Sequence, residues 1–292
     1  AACRSRARPR PAPRAAAFRS ATWAELAPLP EEEAMNDTLH ITDVSPRDGL
    51  QNQAAHISTE AKLGLIERLV AAGVRSVEVT SFVSPRAVPQ MADADALVPR
   101  IQQYWPQLRT SVTMNRKNIN MGLEETERVS TDTLVRAQAL GLRTRAYVAV
   151  AYECPFEGPT TLAEVVRLAV RMHAAGAGEI VIADTIGAAS PAQVRDSFVA
   201  LSAEMPVARL AVHLHDTRGM GGANAWAAME AGVRRFDASV GGIGGCPFAP
   251  GAAGNLATED LVLMAEGSGL RTGIALEGLL DAVAFAEEQL GR

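Results

Sequence analysis

From position 39 to position 240, short apolar runs alternate with amphipathic helical segments about every 30 residues, which restricts the chain to a repeating βα architecture. The runs lie at 39–44, 74–81, 108–114, 144–150, 179–183, 210–215 and 236–240. Most are nearly continuous in apolar character, as expected of parallel strands covered by helices. The segments between them have recognisable ends. Ser58 is placed to cap a helix over 59–72, where Leu63, Ile66, Leu69 and Val70 make one apolar face and Gly73 suits the stop. Thr161 and Glu164 have capping-box spacing before 165–175, and Gly176 follows. Ser190 then Pro191 open a helix that ends near Pro206.

One core with no linker reads as a single α/β domain over 35–292, a TIM-type (β/α) barrel. The alternative, a doubly wound open sheet, needs a glycine-rich phosphate turn after the first strand. Ser45-Pro46-Arg47-Asp48-Gly49 stands there instead. The strand count is seven, one short of the eight of such a barrel.

A net charge of −5 gives no general reason to expect nucleic acid as a partner, and no apolar run approaches the ~20 residues that span a bilayer. Three scattered cysteines, Cys3, Cys154 and Cys246, fit a reducing compartment better than a disulfide framework. Residues 1–34 differ from the rest: six arginines, no acid before Glu25, and prolines at 9, 11 and 13. They read as a disordered or non-native leader, with Met35 as the native start and a cytoplasmic protein. The alternative is a transit peptide to the mitochondrial matrix, against which the helix-breaking prolines count.

The chemistry-bearing residues cluster at strand ends. His213 and His215 sit at i and i+2, so in a strand both imidazoles face the same side and can reach one divalent ion. Two imidazoles on a buried apolar strand are expensive without partners, and a metal supplies one. Asp216 faces the opposite way and is not counted as a ligand; His40, His56 and His173 read as surface or packing residues. Asp48, after the first strand, can add a hard carboxylate oxygen. Arg47 beside it brings a fixed positive charge suited to an enolate or thioester oxyanion. A glycine-rich loop over 241–254 contains Cys246, a candidate acid/base or nucleophile, and ends at Asn255, whose amide oxygen can ligate a metal. Glu78 and Asp184 lie in or at the end of strands, where a carboxylate can orient a basic or metal-bound group or simply be solvated.

Taken together, Ser-Pro-Arg-Asp-Gly-Leu-Gln-Asn at 45–52, Val-Glu-Val-Thr-Ser-Phe-Val-Ser-Pro at 77–85, Glu-Cys-Pro-Phe-Glu-Gly at 153–158, Ala-Asp-Thr-Ile-Gly at 183–187, the His-x-His strand and the Gly-Gly-Cys-Pro-Phe-Ala-Pro-Gly loop resemble the hydroxymethylglutaryl-CoA lyases. The resemblance runs from about Thr38 to the C-terminus. It implies Asp48, His213, His215 and Asn255 as ligands of Mg²⁺ or Mn²⁺, and Arg47 as stabiliser of the thioester enolate. Cys246 becomes the loop residue that shields the site and moves a proton, with Glu78 and Asp184 in its polar surround. The implied reaction cleaves 3-hydroxy-3-methylglutaryl-CoA into acetoacetate and acetyl-CoA. The implied partner is an acyl-CoA, a homodimer is compatible, and neither nucleic acid nor a membrane is expected. Alternatives are a lyase for another 3-hydroxyacyl-CoA such as citramalyl-CoA, or an inactive truncated barrel.

The chain departs from that family in one place. There, a segment like Lys-Asn-Ile-Asn at 117–120 follows the fourth strand, about thirty residues beyond the third; here Thr113-Met114-Asn115-Arg116 leads straight into it. One strand and one helix are therefore expected to be absent, and the barrel must re-close with altered shear or stay open.

Overall fold

The computed structural model describes residues 37–81, 83–86, 88–113, 123–245 and 254–292. The leader 1–34 lies outside the described residues. In chain order the elements are β1 (His40–Asp43), α1 (Thr59–Ala71), β2 (Ser76–Ser81), α2 (Ala94–Tyr104), β3 (Arg109–Thr113), α3 (Leu123–Ala139) and β4 (Arg145–Val148). A small hairpin follows, β5 (Glu153–Cys154) and β6 (Gly158–Pro159). Then come α4 (Leu162–Ala174), β7 (Glu179–Asp184), α5 (Pro191–Glu204), β8 (Leu210–Leu214), α6 (Gly221–Glu230), β9 (Arg235–Ala238), α7 (Thr258–Gly267) and α8 (Leu276–Leu290).

All seven expected strands form, and they make one parallel sheet in the order β3-β2-β1-β9-β8-β7-β4. Its two ends, β3 and β4, flank the place where a βα unit is expected to be absent. They do not pair with each other among the described residues. The sheet nevertheless curls as a barrel does. Arg145 on β4 hydrogen-bonds Asp237 on β9 at 2.6 Å, although two strands lie between them. Flat spacing of about 4.8 Å per strand would hold those strands roughly 14 Å apart.

The helix ends follow their capping residues. Ser58 accepts the Ala61 N–H at 3.2 Å and starts α1. Ser190 and Gln193 form a full capping box, with Pro191 in the first turn of α5. At Thr161 only half of the expected box forms: Thr161 accepts the Glu164 N–H, whereas the Glu164 carboxylate takes Arg167 instead. A guanidinium three residues along the exposed face outcompetes a single backbone N–H as its partner.

The core fills the space between sheet and helices, with Ile66, Leu69, Ile180, Ile182, Val212 and Phe198 each at most 1 % exposed. Inside the curl the lining is polar. Glu78, Tyr147 and Asp237 meet there, Thr42 donates to Ser76 at 3.1 Å, and this ionic interior positions the site.

Candidate metal centre

The Ser45–Gly49 turn is a single π-helical turn in which the Arg47, Asp48 and Gly49 N–H groups all donate to the Val44 carbonyl, at 3.2, 2.8 and 3.1 Å. Pro46 suits its first position, where no N–H is needed. Ser45 anchors it: its hydroxyl accepts the Val240 N–H at 2.8 Å and bonds Ser239 at 3.1 Å, which ties the turn to the end of β9. Asp43 lies beneath, fully buried, accepting the Ser45 N–H at 2.9 Å and the Thr258 hydroxyl at 2.7 Å. Burial raises its carboxyl to about 6, against the pull of those hydrogen bonds.

This turn aims Asp48 across β9 at the histidines. Carboxylate and imidazole atoms of Asp48, His213 and His215 all lie within 4.8 Å of one another, and all three residues are buried. The two rings sit 5.2 Å apart, on one face as their spacing requires. Asn255 joins them because His215 forms a backbone bridge to it just beyond β8. Its side-chain N–H₂ donates to Asp48 Oδ2 at 3.0 Å and to the Ile243 carbonyl at 3.1 Å, leaving a buried Oδ1 without a partner. Glycine is required on both sides of this amide. A Cβ on Gly254 would lie 2.0 Å from the Gly242 carbonyl oxygen, and one on Gly244, at φ +141°, would lie 2.5 Å from the Asn255 amide nitrogen.

The donor set fits a divalent cation. It offers one carboxylate, two imidazoles and an amide oxygen, and the buried acceptor atoms on His215 and Asn255 have no protein partner. Burial and then the neighbouring His213 lower His215 to about 4, so its imidazole is neutral and able to ligate at neutral pH. Burial opposes the charged form of Asp48, but Arg47 and both histidines hold its carboxyl below the usual range.

Arg47 is 7 % exposed and bridges two acids, donating to Asp48 at 2.6 Å and to Glu78 at 2.5 Å; its Nε is buried and unpartnered. Burial disfavours its charge, but Glu78 and Asp48 outweigh burial and keep the guanidinium ionised. Burial pushes the Glu78 carboxyl up while Arg47 pulls it down.

Asp184, at the end of β7, interacts electrostatically with His213 and is held by hydrogen bonds. Both its oxygens are taken by its own loop, accepting the Ala188 and Ala189 N–H groups at 2.9 and 3.0 Å. Asp216 likewise points away and accepts the Gly221 N–H at 2.6 Å, at the start of α6. His40 and His56 are exposed and His173 is half-buried. Cys246 lies outside the described residues.

Sequence reasoning missed the support behind His213. Asp237 Oδ2 lies 3.4 Å from His213 Nδ1, and the same carboxylate accepts the Tyr147 hydroxyl at 2.7 Å and Arg145 at 2.6 Å. Burial opposes its ionisation, but Arg145 and His213 hold the carboxyl well below the usual range. A carboxylate behind a ligating imidazole fixes its orientation and raises its basicity. The available signal was one acid inside the otherwise apolar run at 236–240. Val150, after β4, adopts φ +49°, a strained conformation for a β-branched residue. Its N–H donates to the Thr185 hydroxyl at 2.9 Å and its carbonyl accepts the Thr160 hydroxyl at 2.7 Å, which hold it there.

The sequence profile of the HMGL-like family matches residues 38–106 and 98–285. The chain belongs to the HMGL-like family. The mitochondrial hydroxymethylglutaryl-CoA lyase of Rattus norvegicus is 39% identical over 303 residues, covering 95% of this chain and 91% of the relative. That aligned stretch exceeds the 292 residues of this chain, so the relative carries residues that this HMGL-like chain lacks. Among solved structures, the HMG-CoA lyase from Brucella melitensis superposes with a TM-score of 0.83 at 35% identity, over 88% of this chain and 100% of that one. An HMG-CoA lyase from Acinetobacter baumannii, in complex with coenzyme A and 3-methylmalate, gives 0.79 at 33% identity over 89% and 94%. The TIM-type reading of the fold is thereby supported.

Proposed function

We propose that this protein is a divalent-metal-dependent carbon–carbon lyase that cleaves 3-hydroxy-3-methylglutaryl-CoA into acetoacetate and acetyl-CoA. The observation that carries the reading is the convergence of Asp48, His213 and His215, with the unpartnered amide oxygen of Asn255 beside them. These four residues would hold Mg²⁺ or Mn²⁺. The cation, when bound, lowers the pKa of the substrate hydroxyl and draws off charge from an oxygen of the breaking unit.

In the reaction the 3-hydroxyl loses its proton to a base and becomes the ketone of acetoacetate as the C2–C3 bond breaks. The bonding pair passes to the thioester as an enolate, which takes a proton at C2 to give acetyl-CoA. Arg47 supplies fixed positive charge to the enolate oxygen, and its unpartnered Nε is a donor free for that use. Glu78 orients the Arg47 guanidinium. By resemblance Cys246 shields the site and takes part in proton transfer, and Asp184 shapes the loop after β7. Support for an acyl-CoA partner comes from the A. baumannii relative with its bound coenzyme A. Among the described residues no helix is long and apolar enough to cross a membrane. A cytoplasmic location is proposed, with the mitochondrial matrix of the rat relative as the alternative.

The test is release of acetyl-CoA from hydroxymethylglutaryl-CoA with Mg²⁺ or Mn²⁺ and again after chelation. Folded, metal-binding protein that releases none would defeat the proposal. The break between β3 and β4 motivates a second substrate arm. Faster cleavage of citramalyl-CoA would reassign the acyl group, and failure on both would mark a barrel that binds metal without turnover.

A further inference from the structure

At the opposite end of the sheet from the metal centre, arginines crowd the starts of the strands. Side chains two apart along a strand share a face. Arg235 precedes Asp237 by two and Arg145 precedes Tyr147 by two, so both face the interior with those residues. Arg109 pairs in register with Ser76, two before the inward Glu78. Arg209 and Arg143 lie immediately outside the starts of β8 and β4. Five guanidinium groups thus surround one mouth of the barrel, and two carboxylates, Glu179 and Asp237, face them.

Those acids are already committed. Arg145 takes both, at 2.5 and 2.6 Å; Arg235 stands 3.6 Å from Glu179 and donates its Nε–H to the Ala208 carbonyl at 3.0 Å, which leaves its terminal nitrogens for another acceptor. Arg109 and Arg143 have no carboxylate partner among the described residues. Uncompensated like charge at one mouth of a protein with net charge −5 is unfavourable unless an anion offsets it. Two electrostatic consequences agree. Partial desolvation at the surface, then Arg109, lowers Arg143, and burial with Arg109, Arg145 and Arg209 lowers Arg235 despite the pull of Glu179.

We propose that this mouth binds a small multivalent oxyanion of the phosphate class, clamped by Arg109, Arg143 and Arg235. Guanidinium forks match phosphate oxygens in pairs, and three arginines set at or just before the starts of β3, β4 and β9 favour a ligand with several oxygens over chloride. The site is separate from the metal centre at the other end of the strands, so its occupancy does not depend on the reaction proposed above.

The experiment is thermal unfolding of the metal-free full-length protein, titrated with inorganic pyrophosphate and, separately, with sodium chloride at matched ionic strength. Pyrophosphate is expected to raise Tm saturably, by about 5 °C at a hundredfold excess over Kd. The chloride series is expected to give a smaller, unsaturated rise. In Arg109→Gln/Arg143→Gln the starting Tm is expected to hold or rise, because repulsion is removed, and the pyrophosphate increment to fall at least by half. Arg143→Gln alone is the second variant, since Arg143 is exposed and makes no structural hydrogen bond among the described residues. It is expected to weaken pyrophosphate severalfold. Pyrophosphate that acts no better than chloride, or an increment unchanged in Arg143→Gln, would overturn the proposal.

Discussion

Asp237→Asn separates the ligands of the metal centre from what holds them. Asp237 is 1 % exposed, accepts Arg145 and Tyr147 at 2.6 and 2.7 Å, and stands 3.4 Å behind His213 Nδ1. Asparagine keeps the shape but loses the charge and turns an N–H₂ toward one of two existing donors. His213 then loses both orientation and basicity, an effect of about 10–100-fold on metal affinity, or roughly 1.4–2.7 kcal/mol. Folding should suffer less than the about 3–5 kcal/mol expected for an orphaned buried charge, because Arg145 keeps Glu179 at 2.5 Å. Calorimetric titration of Mn²⁺ into chelator-treated wild type and variant reads the affinity, and melting curves read the fold. Glu179→Gln is the control, changing Arg145 without touching His213, and should leave Mn²⁺ affinity within about threefold. A folded Asp237→Asn that binds Mn²⁺ as wild type does would refute the assignment of Asp237 as the group that positions His213.

Four further outcomes follow from the same geometry. Asp48→Ala, His213→Ala and His215→Ala should each abolish the rise in Tm that Mn²⁺ gives the wild type, since each removes one of three clustered donors. Arg47→Gln should lower kcat at least about 10²-fold while metal affinity changes far less, so a matched loss of both would argue that Arg47 only holds Asp48. Gly254→Ala should destabilise by about 1–3 kcal/mol and weaken metal binding, because the added methyl meets the Gly242 carbonyl and must displace Asn255. For Asp43, raised to about 6 in the fold from 3.8, the neutral form is the one the fold favours. Its contribution is therefore full below the unfolded value and lost as pH rises through 6. Unfolding free energies of the metal-free protein and Asp43→Asn should diverge in the wild type's favour as pH falls from 8 to 4, by about 2.4 kcal/mol; parallel curves would contradict it.

The sequence by itself determined the seven strands, their parallel sense and the candidates for ligating a cation or stabilising charge. Those properties are local or periodic: a two-residue spacing puts His213 and His215 on one face, and Ser58 and Ser190 mark helix starts wherever the helices go. It also put the expected departure from the family between the third and fourth strands, which are the two ends of the described sheet. It did not reveal Asp237, Tyr147 and Arg145 as one network, because these come from different strands whose adjacency exists only once the sheet curls. Nor did it separate Asp184, spent on its own loop, from Asp48, which reaches the histidines. Both read as acids at strand ends, and only the π-helical turn anchored by Ser45 and the path of the loop after β7 decide which carboxylate faces the histidines. Pattern along a chain fixes which way a side chain points; which groups then meet depends on the curvature that brings distant strands together.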